Sequence, residues 1–292
     1  MMIAVAFIWG GTFIAGRQLA VEVPPLLSAF FRFFIACIVL SFFSPPKRKH
    51  IKLIKEQHWK RIFLMGLAGV FFYNICFFYG FQFISASRGS LIVALNPAVI
   101  GLVSFLFFKE KIGFVRWLGI IISLIGVSIV ILGKDPQALL MNADAWKGDL
   151  LILGCVASWA TYSIISKPVI DSLGATSAVF YSLLVGTALL FLFALLSGDL
   201  TLVNIKNIDL TGWGSLLFLG GLGSALAYVL YYKSIGLIGA TSAGVYIALV
   251  PIFGVSLGAL LLGEKVTLSL ILGGLATTLG VYLSNFKDKS KI

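Results

Sequence analysis

Charge is scarce in this chain. Only 11% of its 292 residues are charged, and just 11 of them are Asp or Glu against 22 Lys or Arg. Soluble domains carry about 25% charged residues. With 60% hydrophobic residues, a water-soluble fold of this size would expose apolar surface that it could not hide. None of the carboxylates falls in the middle of an apolar run: Glu22, Glu56, Glu110, Asp135, Asp144, Asp149, Asp171, Asp199, Asp209, Glu264 and Asp288 all lie at run ends or between runs. A proton-coupled exporter of lipophilic cations needs a membrane-embedded carboxylate that binds proton and substrate in turn. That absence argues against lipophilic cations as the main cargo and against simple carboxylate-driven antiport.

Other chemistry is missing as well. Cys37, Cys76 and Cys155 sit inside apolar runs without metal-ligand spacing and read as core packing, not as a disulfide framework. His50 and His58 flank a basic stretch without a carboxylate or cysteine constellation and read as interfacial. No nucleophile, acid/base pair or metal cluster is recognisable, so no cofactor or metal is expected and a membrane enzyme is disfavoured. No run is polar enough along one side to line a continuous pore, which disfavours a channel.

What is present is length. Ten apolar runs, near 2–20, 26–44, 62–83, 89–108, 115–133, 148–169, 175–196, 212–235, 240–261 and 267–286, approach the ~20 residues that cross a bilayer as helix. Backbone groups in lipid must be satisfied within the segment, and the short alternating strands of a barrel are absent. The first run has no charged leader segment or small-residue cleavage site and reads as a retained helix. With the N-terminus inside, 15 Lys/Arg fall on the cytoplasmic side and six on the other, Arg32 lying within a helix. The positive-inside rule therefore places both termini in the cytoplasm. The net charge of +11 is accordingly a topological signal, not a nucleic-acid footprint. Its densest part, residues 45–61, is expected against anionic lipid headgroups.

The chain also repeats itself. An offset of 154 pairs Trp59 with Trp213, Gly66 with Gly220, Gly69 with Gly223, Pro97 with Pro251, Glu110-Lys111 with Glu264-Lys265, Gly119 with Gly273 and Gly126 with Gly280. Near the start an offset of 150 pairs Trp9 with Trp159 and Arg17 with Lys167. The expected organisation is a first repeat at 1–133, a connecting loop at 134–147, a second repeat at 148–286 and a basic tail at 287–292. Five helices per repeat is an odd number, so the second copy crosses the membrane in the opposite sense. The expected fold is an all-α polytopic membrane protein, ten transmembrane helices forming two inverted-topology five-helix repeats. Such repeats exchange conformations to alternate access to a site at their seam, a single chain being sufficient.

These residues resemble a family. The pattern Pro97-x12-Glu110-Lys111 with Gly119 and Gly126 recurs as Pro251-x12-Glu264-Lys265 with Gly273 and Gly280. With Trp9-Gly10-Gly11-Thr12-Phe13 and Arg32-Phe33, the chain is similar over nearly its full length to the EamA-type branch of the drug/metabolite transporter superfamily. The resemblance implies a ten-helix carrier of the prokaryotic cytoplasmic membrane that exports amino acids or other small metabolites. It also implies a central cavity lined mainly by helices 1, 3, 4, 6, 8 and 9. It leaves the substrate open: nucleotide sugars, organic phosphates and mixed drugs stay as alternatives. The halves have diverged, with Trp159-Ala160-Thr161-Tyr162 in place of a Trp-Gly pair and Ser182 where Arg32 would align.

Candidate substrate-binding residues are Trp9, Phe13, Asn74, Asn96, Trp159, Tyr162, Ser163, Tyr228 and Tyr246, expected to converge near the midplane. Trp9 and Phe13 share a helix face, as do Trp159 and Tyr162-Ser163. Pro97 and Pro251 are expected helix breaks that free a carbonyl one turn earlier, which Asn96 could satisfy. Arg32, Arg88 and Lys233 are the candidates for gating or charge, each weighed against snorkelling or interfacial anchoring. The paired glycines read as strips for close helix approach. Glu264-Lys265 reads as helix-end capping, with lysine complementing the C-terminal dipole.

Overall fold

The computed structural model of the chain describes residues 1–43, 56–108, 113–133, 144–238 and 246–284. The Glu110-Lys111 pair, His50, residues 134–143, the tail and most of the 45–61 stretch lie outside the described residues. Among the described residues every regular element is a helix. α1 is Met2–Glu22 and α2 Pro25–Phe43. α3 runs as Glu56–Met65, Gly66–Phe72 and Tyr73–Gly80, and α4 as Ala86–Val93 followed by Asn96–Phe108. α5 is Phe114–Leu132, α6 Ala145–Leu173 and α7 Ala175–Leu196. α8 runs as Leu210–Leu217, Phe218–Leu226 and Ala227–Ile238, α9 is Leu249–Leu262 and α10 Leu268–Ser284. A short helix, Leu202–Lys206, precedes α8 and had no counterpart among the expected runs.

Eight of these helices are long and apolar enough to span a bilayer, and α9 and α10 are shorter apolar helices. At 1.5 Å per residue the 17 residues of α10 reach about 26 Å, close to the ~30 Å hydrocarbon thickness. Large apolar side chains such as Phe42, Leu132, Leu196 and Leu260 remain exposed on the outside of the bundle, where lipid is their solvent. The architecture is ten membrane helices in two inverted repeats, so α1 starts and α10 ends on the same membrane face.

Two departures from regular helix follow the repeat. The first is the interruption of α4 beside Pro97, one of the two expected helix breaks. Pro97 has no N–H for the carbonyl of Val93, and the chain turns at Ala94-Leu95 before helix resumes at Asn96. Its counterpart is a turn residue at Ala248, just ahead of α9 and Pro251. The second is a π-helical stretch, Gly66–Phe72 in α3 and Phe218–Leu226 in α8. Shifted by 154, the first falls on 220–226, inside the second. Such widened turns re-aim side chains and recur at functional sites.

The glycine strips carry the contact between α5 and α10. A Cβ at Gly126 would lie 2.5 Å from the Thr277 nitrogen, and one at Gly280 would lie 2.4 Å from the Ser123 nitrogen. Backbone therefore lies against backbone, as the small-residue spacing predicts. The partner helices belong to different repeats. The cysteines match the packing expectation: Cys37 and Cys155 are buried, Cys76 is partly so, and all are free thiols.

Candidate functional site

A cavity of about 610 Å3 lies at the seam of the two repeats. α1 contributes Trp9, Thr12 and Phe13, α2 Arg32, and α3 Gly69 and Tyr73. α4 supplies Asn96 and Pro97, α6 Trp159, Tyr162, Ser163 and Ser166, and α8 Gly223, Tyr228 and Tyr231, while Ala248 and Pro251 mark the break at α9. Both interrupted segments thus face the cavity, where freed backbone and proline rings replace a smooth helix face. The lining continues to Arg116 at the start of α5 and Ser284 at the end of α10. On the opposite side it stops near Phe13 and Ser90. The cavity runs from the middle of the membrane toward the face on which α1 begins and α10 ends.

Its walls are aromatic. Tyr228 packs edge-on against both Trp9 and Trp159, with ring centroids 5.7 and 6.3 Å apart. Trp159 stacks with Tyr162 at 5.3 Å, and Tyr231 lies 5.2 Å from Trp9. The Trp9 indole N–H donates to the Gly223 carbonyl at 3.1 Å, which fixes its ring and leaves the face for packing. Gly69 and Gly223 let the wall helices pack closely at equivalent places: a Cβ on Gly69 would strike Tyr162 at 2.3 Å, and one on Gly223 would meet Thr12 at 2.7 Å.

Arg32 sits at the closed end. It is 8% exposed, its Nε donates to Ser224 Oγ at 3.0 Å, and its Nη1 donates to Asn74 Oδ1 at 3.2 Å. The Phe33 and Phe77 rings lie 5.1 and 5.3 Å from the guanidinium carbon. Ser224 lies within the π-helical stretch of α8 and Asn74 just beyond that of α3. The two widened turns flank the same guanidinium.

Of the sequence candidates, Trp9, Phe13, Asn96, Trp159, Tyr162, Ser163 and Tyr228 line the cavity, with Arg32, Pro97 and Pro251. Asn74 does not: it is fully buried, accepting from Arg32 and donating Nδ2 to the Val70 carbonyl at 2.7 Å. Its amide orients the arginine behind the wall. Tyr246 is 38% exposed and outside the lining, because it lies before the turn that aims Ala248 and Pro251 inward. Lys233 is exposed and away from the cavity. Asn96 leaves its Oδ1 without a hydrogen-bond partner among the described residues. Tyr73, Tyr231, Ser166 and Arg116 also line the cavity and were not singled out in the sequence. A signal existed for two of them. Tyr73 lies one turn from Gly69, which recurs as Gly223, and Tyr231 lies one turn from Tyr228.

Arg88 is a correction to the interfacial expectation. It is 5% exposed and forks onto Asp149, Nε to Oδ1 at 2.7 Å and Nη2 to Oδ2 at 2.6 Å. It also donates to the carbonyls of Ile131 at 2.7 Å and Gly133 at 3.2 Å, capping the C-terminal end of α5. Asp149 lies near the N-terminal end of α6, where the helix dipole favours an anion. The expectation for Glu264-Lys265 also changes. Lys265 is exposed, whereas Glu264 is buried and caps the N-terminus of α4. Its carboxylate accepts from the backbone N–H groups of Ala86 at 2.7 Å and Ser87 at 2.9 Å and from the Ser87 hydroxyl. Gly263, at φ 63°, makes the left-handed turn that folds Glu264 back over Gly258. Both carboxylates lie at helix ends, as the sequence indicates, but end position does not mean exposure. Together with Arg17 donating to the Phe81 carbonyl, these contacts seal the bundle on the side away from the cavity mouth.

Comparison with known proteins fits this geometry. The chain is 27% identical over 292 residues to the uncharacterised transporter YoaV of Bacillus subtilis, covering 98% of this chain and 95% of that one. It is 28% identical to the transporter YdfC of the same organism, covering 96% and 88%. It is also 27% identical to an uncharacterised transporter of Archaeoglobus fulgidus, covering 96% and 94%. A solved crystal structure superposes with a TM-score of 0.67 at 19% identity, covering 97% of this chain and 94% of that one, and shows the shared fold. The model of the EamA-like transporter family matches twice, over residues 1–132 and 146–286. This chain belongs to the EamA-like transporter family: it is an integral membrane transporter for a small molecule and not an enzyme.

Proposed function

We propose that the chain is a secondary carrier that exports amino acids or related zwitterions from the cytoplasm by alternating access. The observation that carries this reading is the placement of one cavity at the seam of two inverted repeats, open toward one face and sealed by ion-pair and capping contacts at the other. Inverted repeats supply the second state by exchanging conformations. In this reading residues 1–133 and 148–286 are the two moving units, joined by 134–147, and a single chain suffices. The cytoplasmic membrane is the location, both termini are cytoplasmic, and the present state is open inward. Residues 45–61 would then rest on anionic headgroups. The aromatic walls suit an apolar or flat body.

The test is counterflow. Purified protein in liposomes preloaded with an unlabelled amino acid should accumulate the labelled one saturably and transiently. Non-saturable flux, or activity confined to lipophilic cations such as ethidium, would overturn the reading. Orientation has its own check, with cysteine placed at Lys147 or Lys60. An impermeant maleimide should label Lys147→Cys in intact cells and spare Lys60→Cys; the reverse pattern refutes cytoplasmic termini.

A further inference from the structure

Two arginines are buried among the described residues, and they are balanced differently. Arg88 is neutralised by the Asp149 carboxylate. Arg32 has a hydroxyl, an amide oxygen and two ring faces around it, and among the described residues no carboxylate pairs with it. A guanidinium does not deprotonate in proteins. Neutral dipoles and ring quadrupoles ease its burial without cancelling its charge. A lone cation in the wall of a membrane cavity is therefore an unfilled half of an ion pair.

We infer that Arg32 receives the carboxylate of the transported molecule, so that the cargo is a small carboxylate whose body lies against Trp9, Trp159 and Tyr228. This deepens the carrier reading above and rests on it. The geometry argues for a carboxylate. Nε and Nη1 are held by Ser224 and Asn74, while Nη2 has no hydrogen bond among the described residues. The planar fork of arginine suits two carboxylate oxygens, and its orientation is already fixed before ligand arrives. A phosphate dianion would call for several converging donors. The other charged side chain in the lining, Arg116, is near the mouth, at the start of α5. The second repeat offers no equivalent charge: Ser182, aligned with Arg32, is fully buried, donates to the Val179 carbonyl at 2.8 Å and lies 3.5 Å from the Tyr162 hydroxyl. One carboxylate is thus matched by one site, and the cavity is asymmetric although the scaffold is not.

The experiment varies the ligand as well as the protein. Thermal shift of purified protein is measured with the standard amino acids, their decarboxylated amines, their methyl esters and simple phosphate monoesters. Some amino acids should stabilise the native chain while their amines and esters do not, a difference of about tenfold or more in apparent affinity. Arg32→Gln should abolish that selectivity, and Arg32→Lys should retain part of it. Equal stabilisation by acid and amine, preference for phosphate monoesters, or no shift with any carboxylate overturns the inference. The comparison of ligands in the unaltered protein stands even where Arg32→Gln fails to fold. Counterflow separates the two readings. Saturable exchange of a solute that lacks a carboxylate refutes the docking role and leaves the carrier intact, whereas absence of saturable exchange for every solute defeats both.

Discussion

Arg32 and Arg88 are nearly equally buried, at 8% and 5% exposed, yet they belong to opposite parts of the protein. Arg88 is on the sealed side, forked onto Asp149 and two helix-terminal carbonyls. Arg32 is in the cavity wall, held by Ser224 and Asn74 without a counter-anion. One charge is finished within the fold and the other is left for a visitor. Removing one partner of a finished pair strands the other, whereas removing an unfinished charge relieves a burial penalty. The two sites should therefore respond in opposite ways to similar substitutions.

The largest effect is expected at the finished pair. Asp149→Ala leaves Arg88 buried and unpaired, and should lower unfolding free energy by about 3–5 kcal/mol, measured by denaturant unfolding in detergent. The double variant Arg88→Met with Asp149→Leu should recover most of that loss, because replacing a whole buried pair by apolar groups is often close to neutral. A double variant as unstable as Asp149→Ala would mean that the carbonyl contacts of Arg88, not the ion pair, dominate.

Glu264→Gln sharpens the comparison on the same side. It removes the charge that caps α4 and leaves an amide facing the Ala86 and Ser87 N–H groups; the expected cost is about 1–3 kcal/mol. Loosening the seal should also raise impermeant labelling of a cysteine introduced at Ser90. Unchanged labelling would count against this cap as part of the seal. Gly126→Leu is expected in the same range, about 1–3 kcal/mol from overpacking against Thr277, read by the same unfolding assay.

At the unfinished charge the expectation reverses. Arg32→Gln should shift stability by no more than about 1 kcal/mol, since lost hydrogen bonds are offset by relief of burial, while transport affinity falls steeply. A loss comparable to that of Asp149→Ala would identify Arg32 as a structural clamp. The smallest effects belong to Lys233→Ala and Tyr246→Ala, both exposed and outside the cavity, with stability changes within about 0.5 kcal/mol and counterflow unaltered.

How much of this was legible beforehand depends on the kind of signal. Hydrophobic run length placed the helices, because hydrocarbon thickness and the need to satisfy backbone groups in lipid act on each segment separately. The seam between repeats followed from the 154-residue register, which also pointed to Pro97 and Pro251 as equivalent breaks. Trp9, Trp159 and Tyr228 could be chosen because mid-helix side chains at repeat-equivalent positions, Trp9 with Trp159 and Asn74 with Tyr228, approach the shared axis. The π-helical stretches were not legible, since glycine-rich apolar sequence is equally compatible with ordinary helix and only packing against neighbours selects the wider turn. Nor were the partners of Arg88 and Glu264, which are 61 and 177–178 residues away.

The sequence by itself determined the class of solvent, the number of crossings, the inversion of the second repeat and the family, all of which depend on local composition or internal register. The tertiary structure decided which ionisable groups meet. Asp149 and Glu264 became parts of the seal away from the cavity mouth, and Asn74 became the support of an arginine instead of a wall of the cavity. Arg32 kept its charge unpaired because the chain brings dipoles and aromatic faces to it but no carboxylate among the described residues. Charge pairing acts over a few ångströms between residues far apart in sequence, so only the folded arrangement of helices could distinguish a completed ion pair from an open one.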